Sequence, residues 1–391
     1  MSGIGTKCVQ AGYTPGNGEP RQVPIVQSTT FKYASSSDMG KLFDLEASGY
    51  FYSRLQNPTN DTVAAKIAAL EGGTAAMLTS SGQAANFYAV FNIASCGDHV
   101  VSSSSIYGGS YNLFAVTMKR MGVDFTFVEP DCTPEELDAA FRPNTKAVFG
   151  ETIANPLMSV PDIQHLADVA HAHGAKLFID NTFATSIIAK PIKYGADLVI
   201  YSATKYLGGH DDLVGGAVVG SEEIIKSLSF YLGLYGANLG ATESWLLARS
   251  LRTLPLRVKK MAENGMALAK FFESHPKVEK VYYPGLESSP SKALADKQFE
   301  GNGYGGMLCV NFKGGQKEID RLISNLQLVR FVPTLAGVGT TLTNPPRASH
   351  RDLSPDELAA IGITMGQIRL SSGLEDTDDL LNDFDQALAK M

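Results

Sequence analysis

Apolar and polar positions divide the chain into three stretches. Up to about residue 56 neither a helical nor a strand period holds. Pro15, Pro20, Pro24, several glycines and the run Ser35–Ser37 read as an extended N-terminal arm, residues 1–56. From Asn57 to about residue 250, short apolar runs alternate with helical patterns, the mark of βαβ units and a mostly parallel sheet. Seven strands are predicted: Ala76–Thr79, His99–Ser102, Phe125–Val128, Ala147–Gly150, Leu177–Asp180, Leu198–Tyr201 and Ala217–Gly220. Between them, Val63, Ile67 and Leu70 recur at helical spacing after Thr59, with Gly72 as a stop. Thr133-Pro134-Glu135-Glu136 is a capping box with proline at the first helical position, and a helix from Ile163 to His173 stops at Gly174. From about Leu251 the rhythm changes to a long helical stretch ending near Ser274, then the turn-rich segment 283–291. A helix capped near Ser354-Pro355-Asp356-Glu357, a strand at Ile368–Ser371 and a last helix carrying Leu380, Phe384 and Leu388 complete a smaller α+β unit. The expectation is an α/β protein with a large domain over 57–250 and a C-terminal domain over 251–391.

Composition narrows the function more than the fold. The chain has 391 residues, 44% of them apolar, and a net charge of −7 spread without Lys/Arg blocks, which argues against nucleic acid as a partner. No apolar run approaches the roughly 20 residues that span a bilayer, and the first residues lack a signal-peptide pattern. Cys8, Cys96, Cys132 and Cys309 lie far apart, with no metal-site or redox spacing. A soluble cytoplasmic protein with no bound metal is expected.

Three elements carry chemistry. Tyr201-Ser202-Ala203-Thr204-Lys205-Tyr206 follows a predicted strand, at the edge where open α/β sheets hold ligands. It places a lysine beside two hydroxyls able to bond a phosphate. Asp180 ends a very apolar strand about 25 residues earlier, one βαβ step away. Thr79-Ser80-Ser81-Gly82-Gln83-Ala84-Ala85 runs from a strand into a helix, whose N-terminal amides suit one phosphate. Neither the GxxxxGK[ST] loop of a nucleoside-triphosphate site nor a GxGxxG dinucleotide turn is present. Singly, each element has a plain structural reading: a surface lysine, a turn aspartate, a strand-to-helix turn. Together they suit pyridoxal-5′-phosphate (PLP), which is held by a lysine imine and needs a carboxylate beside its ring nitrogen to act as an electron sink.

Over nearly its whole length the chain resembles the Cys/Met-metabolism PLP enzymes, among them cystathionine γ-synthases and lyases, methionine γ-lyases and O-acetylhomoserine sulfhydrylases. The segments YSRLQNPTND, TSSGQAA, IYGGSYNLF, ETIANP, IDNTFAT, YSATKYLGGH and IRLSSGLED match in order and spacing. The resemblance implies a PLP-dependent transferase fold of the aspartate-aminotransferase type, with a seven-stranded sheet, and a homotetramer built from two catalytic dimers. It implies Lys205 as Schiff-base lysine and proton carrier, Asp180 at the pyridine nitrogen and Asn155 at the ring hydroxyl. Gly82, Gln83, Ser202 and Thr204 would hold the phosphate, and Tyr107 would stack on the ring and act as a second catalytic residue, helping to protonate or deprotonate the substrate. Tyr52 and Arg54 would reach the phosphate of a neighbouring subunit. Arg369 would clamp the carboxylate of an amino-acid substrate, with the loop at Thr334 beside it. Glu151 has a supporting and a turn reading. His171 and His173, two apart and on different helix faces, read as a solvated helix end, while His210, Asp211 and Asp212 read as structural.

Which member of the family this is turns on small details. NPTND, SSGQAA, YGGSYNLF and ETIANP resemble O-acetylhomoserine sulfhydrylases. Methionine γ-lyases typically carry cysteine where this chain has Gly109, and a Lys-Asp pair near Leu232 and Gly233. In the other direction, the chain is shorter than typical sulfhydrylases, and the loop Thr334–Leu342 departs from the SLGDTETL-like pattern. The expectation is γ-replacement on an O-acylhomoserine by sulfide or a thiol. The alternative is a γ-lyase releasing thiol, ammonia and 2-oxobutyrate from methionine, homocysteine or cystathionine. A nucleotide-dependent oxidoreductase and a non-catalytic binding protein are the remote readings. The first lacks its glycine motif, and the intact lysine, aspartate and arginine set argues against the second.

Overall fold

A computed structural model describes residues 2–44, 46–348, 358 and 362–391. All seven expected strands are present: β1 Ala75–Thr79, β2 His99–Ser103, β3 Asp124–Val128, β4 Thr145–Glu151, β5 Lys176–Asp180, β6 Leu198–Ser202 and β7 Gly216–Gly220. They form one sheet in the order β1-β7-β6-β5-β4-β2-β3. Only β7 is reversed, running antiparallel to β1 and β6, while the other pairs are parallel.

The sequence of the central strands explains their place. A parallel sheet is covered on both faces, so its strands are apolar at every position rather than at alternate ones. Leu177, Ile179, Val199 and Tyr201 belong to the core on one face, and Phe178, Leu198 and Ile200 to the core on the other, all at most 1% exposed.

The signalled helices form where their caps stand. Asn57 accepts the N–H of Thr59 to start Pro58–Glu71, and Gly72 ends it at φ +96°. The box at Thr133 opens Pro134–Ala139, and Asp162 caps Ile163–Ala172, after which Gly174 turns at φ +70°. One expectation changes. The N-terminal arm is not wholly extended: it contains helices Ile4–Gln10 and Ser36–Phe43, of 7 and 8 residues, too short for a period to show in sequence. The first is anchored by fully buried Cys8, whose carbonyl accepts from Lys66 Nζ at 2.9 Å. The long helical stretch expected from about Leu251 to Ser274 is helix Leu254–Ser274, with Pro255 in its first turn, and a separate helix, Ala241–Leu251, precedes it.

The smaller sheet holds β8 Val278–Tyr282, β9 Met307–Phe312, β10 Arg330–Phe331, β11 Thr341–Thr343 and β12 Gln367–Ser371, in the order β10-β11-β12-β9-β8. The final helix, Thr377–Ala389, buries Leu380, Phe384 and Leu388 beneath it. The helix expected near Ser354 lies outside the described residues. One core runs continuously from the large sheet to Met307 and Cys309 of β9, with helix Leu254–Ser274 among the elements between them. No described helix is long and apolar enough to cross a membrane.

His99, at the start of β2, is fully buried and shares hydrogen bonds with Thr145 Oγ1 at 2.8 Å and Thr126 Oγ1 at 2.9 Å. Burial, reinforced by Arg142, lowers its pKa from 6.5 to about 4. The unfolded chain therefore takes up this proton first. Stability is whole above the unfolded pKa of 6.5 and falls as pH drops toward about 4, by about 3 kcal/mol. A His99→Gln variant is expected to flatten the dependence of Tm on pH across that window, measured against wild type in the same buffers.

Candidate active site

The carboxyl ends of the parallel strands converge on a cavity of about 250 Å³. Past β1, Ser81 Oγ accepts the N–H of Ala84 and opens helix Gly82–Phe91. The amides of Gly82 and Gln83 at that end have no partner among the described residues. Glycine is required at 82, because a Cβ there would stand 2.7 Å from Cβ of Ser202 at the end of β6. Ser202, Thr204 and Lys205 follow on the cavity wall. The Thr204 hydroxyl is already bonded to Gly215, accepting its N–H at 3.0 Å and donating to its carbonyl at 3.2 Å, whereas the Ser202 hydroxyl has no partner among the described residues. The lysine loop is gripped from behind by buried Arg257, which donates to the carbonyls of Tyr206 at 2.8 Å and Ser250 at 3.0 Å.

Glu151 and Asp180 end adjacent strands in direct register, β4 against β5. Asp180 Oδ1 accepts from the backbone N–H of Thr182 at 2.9 Å and from its hydroxyl at 2.5 Å, and that hydroxyl in turn accepts the N–H of Ser202 at 2.8 Å. Glu151 Oε1 accepts the N–H of Tyr107 at 2.7 Å. Burial raises the Asp180 pKa against the pull of Thr182. Burial, and then the charge of Asp180, push Glu151 well above the usual carboxylate range despite the N–H groups of Tyr107 and Asn155. Burial disfavours both charges, and the larger upward shift at Glu151 leaves Asp180 the readier of the two to ionise.

Opposite, β12 supplies Arg369, 8% exposed, with Nη1 donating to Asn155 Oδ1 at 3.2 Å. Burial lowers the Lys205 pKa, and Arg369 adds to the effect against Asp211, so the amine is biased toward its neutral, nucleophilic form. The partner of Arg369 in the sheet register, Cys309, is buried with its thiol pushed up to about 12 and offers no nucleophile.

Of the residues singled out in the sequence, Lys205, Asp180, Asn155, Tyr107, Gly82, Gln83, Ser202, Thr204 and Arg369 all border this one cavity. Glu151 does too. Thr334 does not: its neighbours Pro333 and Leu335 form the wall instead, the turn being completed by Ala336 at φ +66°. Tyr52 and Arg54 also stand outside it, with Tyr52 39% exposed and the Arg54 guanidinium 5.4 Å from its ring centre. His171 and His173 take separate partners, Asp197 at 2.8 Å and Asp138 at 2.7 Å, and the described residues contain no metal-ligating cluster. His210 bonds the carbonyl of Gly208 at 2.7 Å. Asn86 and Thr182 were missed. Asn86 lies four residues past Gly82, on the same helix face, a spacing that could have revealed it.

The chain matches the family model for Cys/Met metabolism PLP-dependent enzymes over residues 5–389. The protein belongs to that family. It is 38% identical to an L-methionine gamma-lyase of Treponema denticola, across 100% of this chain and 97% of the relative. With a cystathionine gamma-lyase of Bacillus subtilis it shares 40% identity, covering 94% and 93%, and with a homocysteine synthase of Schizosaccharomyces pombe 39%, covering 94% of each. A Campylobacter jejuni structure, provisionally named an O-acetylhomoserine (thiol)-lyase and containing a pyridoxyl-lysine monophosphate, superposes with a TM-score of 0.95 at 31% identity, over 99% of this chain and 100% of that one. The protein is thus a PLP-dependent enzyme of the transferase or carbon-sulfur lyase type.

The cavity fits the cofactor on its own terms. It offers an amine biased toward neutrality, a carboxylate with no cationic partner among the described residues, and open amides at a helix N-terminus beside an unengaged hydroxyl. Glu151 adds a role for a neutral acid. Glu151→Gln keeps an acceptor for Tyr107 without charge and is expected to bind PLP within a few-fold of wild type. Glu151→Ala leaves that N–H unpaired, at a cost of about 1–3 kcal/mol, and should weaken PLP binding accordingly. Titration of PLP into apoprotein, followed by the visible band, separates the two. Equal damage from both variants would mean that the charge, not the acceptor, matters.

Proposed function

We propose that this enzyme makes homocysteine from an O-acylhomoserine and sulfide by γ-replacement. The Cγ–O bond breaks, the acyl group departs as a carboxylate with the bonding pair, and hydrosulfide forms the new Cγ–S bond, with no net oxidation. Bound PLP supplies the electron sink that makes the substrate Cα–H acidic.

The chain's own groups would divide the work as follows. Arg369 fixes the substrate carboxylate with two parallel N–H donors. Lys205 would hold the cofactor and, with its amine free, would carry protons at the substrate Cα and Cβ. Asp180 would face the pyridine nitrogen and Asn155 the ring hydroxyl. Tyr107 would stack on the ring and help move protons at the substrate. Gly82, Gln83 and Ser202 take the phosphate, with Thr204 bracing the lysine loop through Gly215. Tyr52 and Arg54 serve the cofactor phosphate of a second subunit, so that the working unit is a dimer, paired again into a tetramer. The free cysteines suit a reducing cytoplasm.

The observation that carries the choice is at Gly109. A Cβ there would stand 2.5 Å from Cε1 of Tyr107 and 2.9 Å from Nε2 of Gln83, so the Tyr107 ring occupies the space a cysteine side chain would need. This chain therefore lacks the thiol typical of methionine γ-lyases and uses the room to seat its tyrosine. A second reading, γ-elimination from methionine, homocysteine or cystathionine, is supported by the gamma-lyases among the relatives.

Purified protein given O-acetylhomoserine and sulfide is expected to yield homocysteine and acetate, and given methionine alone to yield no 2-oxobutyrate. The reverse pattern would replace this reading with the second. Gly109→Cys should displace Tyr107 and lower γ-replacement by about 10- to 100-fold, and Lys205→Ala should abolish turnover in either assay.

A further inference from the structure

Far from the PLP cavity, a second cavity of about 330 Å³ lies between the N-terminal segment, helix Pro58–Glu71 and helix Ala241–Leu251. Four cationic side chains border it, Arg21, Lys66, Arg249 and Arg252, and no aspartate or glutamate does. In a chain whose net charge is −7, this is a local reversal of sign.

None of the four takes part in an ion pair among the described residues. Lys66 is 5% exposed, and its ammonium, with three donors, bonds only the carbonyl of Cys8 at 2.9 Å. Burial and the nearby Arg252 hold its pKa down to about 8, a measure of how poorly the charge is compensated. Planar guanidinium groups ordinarily meet carboxylate or phosphate through paired N–H donors, yet the three here have no protein acceptor among the described residues. The negative end of helix Ala241–Leu251 can account for a cation in its last turn, but not for four from three segments.

The cavity is also shaped. Tyr13 Oη donates to the carbonyl of Pro20 at 2.8 Å, which closes the loop that carries Arg21. Trp245, the chain's single tryptophan, lies one helical turn before Arg249 on the same face and borders the cavity with Tyr13.

We propose that this cavity binds a small multivalent phosphate anion, with Arg21, Lys66, Arg249 and Arg252 as its charge partners. The site is independent of the PLP cavity and of which γ-reaction that cavity performs. Trp245 reports on it directly. Titrating full-length holoenzyme with inorganic pyrophosphate, at constant ionic strength set by sodium chloride, is expected to give a saturable change in tryptophan fluorescence while the visible PLP band stays unchanged. ADP should bind at least as tightly if Trp245 and Tyr13 stack on its base, and more weakly if only the phosphates are held.

Arg249→Gln and Arg252→Gln alter side chains near the surface and should each weaken pyrophosphate binding by about tenfold or more, without change in Tm. Lys66→Met tests the buried charge and should have the same effect. Absence of saturation in wild type, or unchanged affinity in both arginine variants, would overturn the proposal. So would a response that sodium chloride alone reproduces.

Discussion

Everything at the PLP site depends on two carboxyl groups being forced together at the ends of β4 and β5. The parallel register places Glu151 beside Asp180, and burial pushes both carboxyl groups toward their neutral forms, Glu151 the further. Hydrogen bonds around them oppose that push unequally. Asp180 has a hydroxyl and an amide from Thr182, both suited to an anion, while Glu151 reaches the amide of Tyr107. The result is a carboxyl readier to ionise facing the cavity and a second, held nearer its neutral form, that fixes the segment carrying the tyrosine. The lysine is tuned in the opposite sense by the same physics, since burial and Arg369 both disfavour its ammonium.

Much of this was readable from the residues. A strand covered on both faces must be apolar throughout, which is why Leu177–Ile179 and Leu198–Ile200 stood out, and polar residues that immediately follow such runs can only lie at the sheet's edge. Asp180, Ser202 and Lys205 were legible for that reason. What escaped reading depends on contacts between distant segments or on elements too short to show a period. β10 and β11 have two and three residues. The wall residue Leu335 differs from the expected Thr334 by one position, a difference set by a backbone turn through Ala336 that non-glycine residues seldom adopt. The raised pKa of Glu151 depends first on burial and then on Asp180, a neighbour 29 residues away in sequence but adjacent in the sheet.

The same geometry explains why family membership and activity are separate conclusions. A lysine, an aspartate and an arginine so placed suit any reaction that begins by removing a proton from an amino acid at Cα, and the relatives include both lyases and synthases. At Gly109 a Cβ would meet the Tyr107 ring at 2.5 Å and the Gln83 amide at 2.9 Å, so a larger residue there has to shift one of these two side chains. A change at residue 109 is therefore felt by two residues that border the cavity.

The lysine loop is fastened by Arg257, and the guanidinium opposite it comes from β12, near the end of the chain. During synthesis the carboxylate, the phosphate turn and the reactive amine thus all emerge before the groups that brace and complete them. A nascent chain that has extended only past β7 carries Lys205 without Arg257 and Arg369, so the burial and the charge that disfavour its ammonium are not yet assembled. The amine stays protonated and unreactive until the last strand is laid down, so reactivity arrives only with the finished fold.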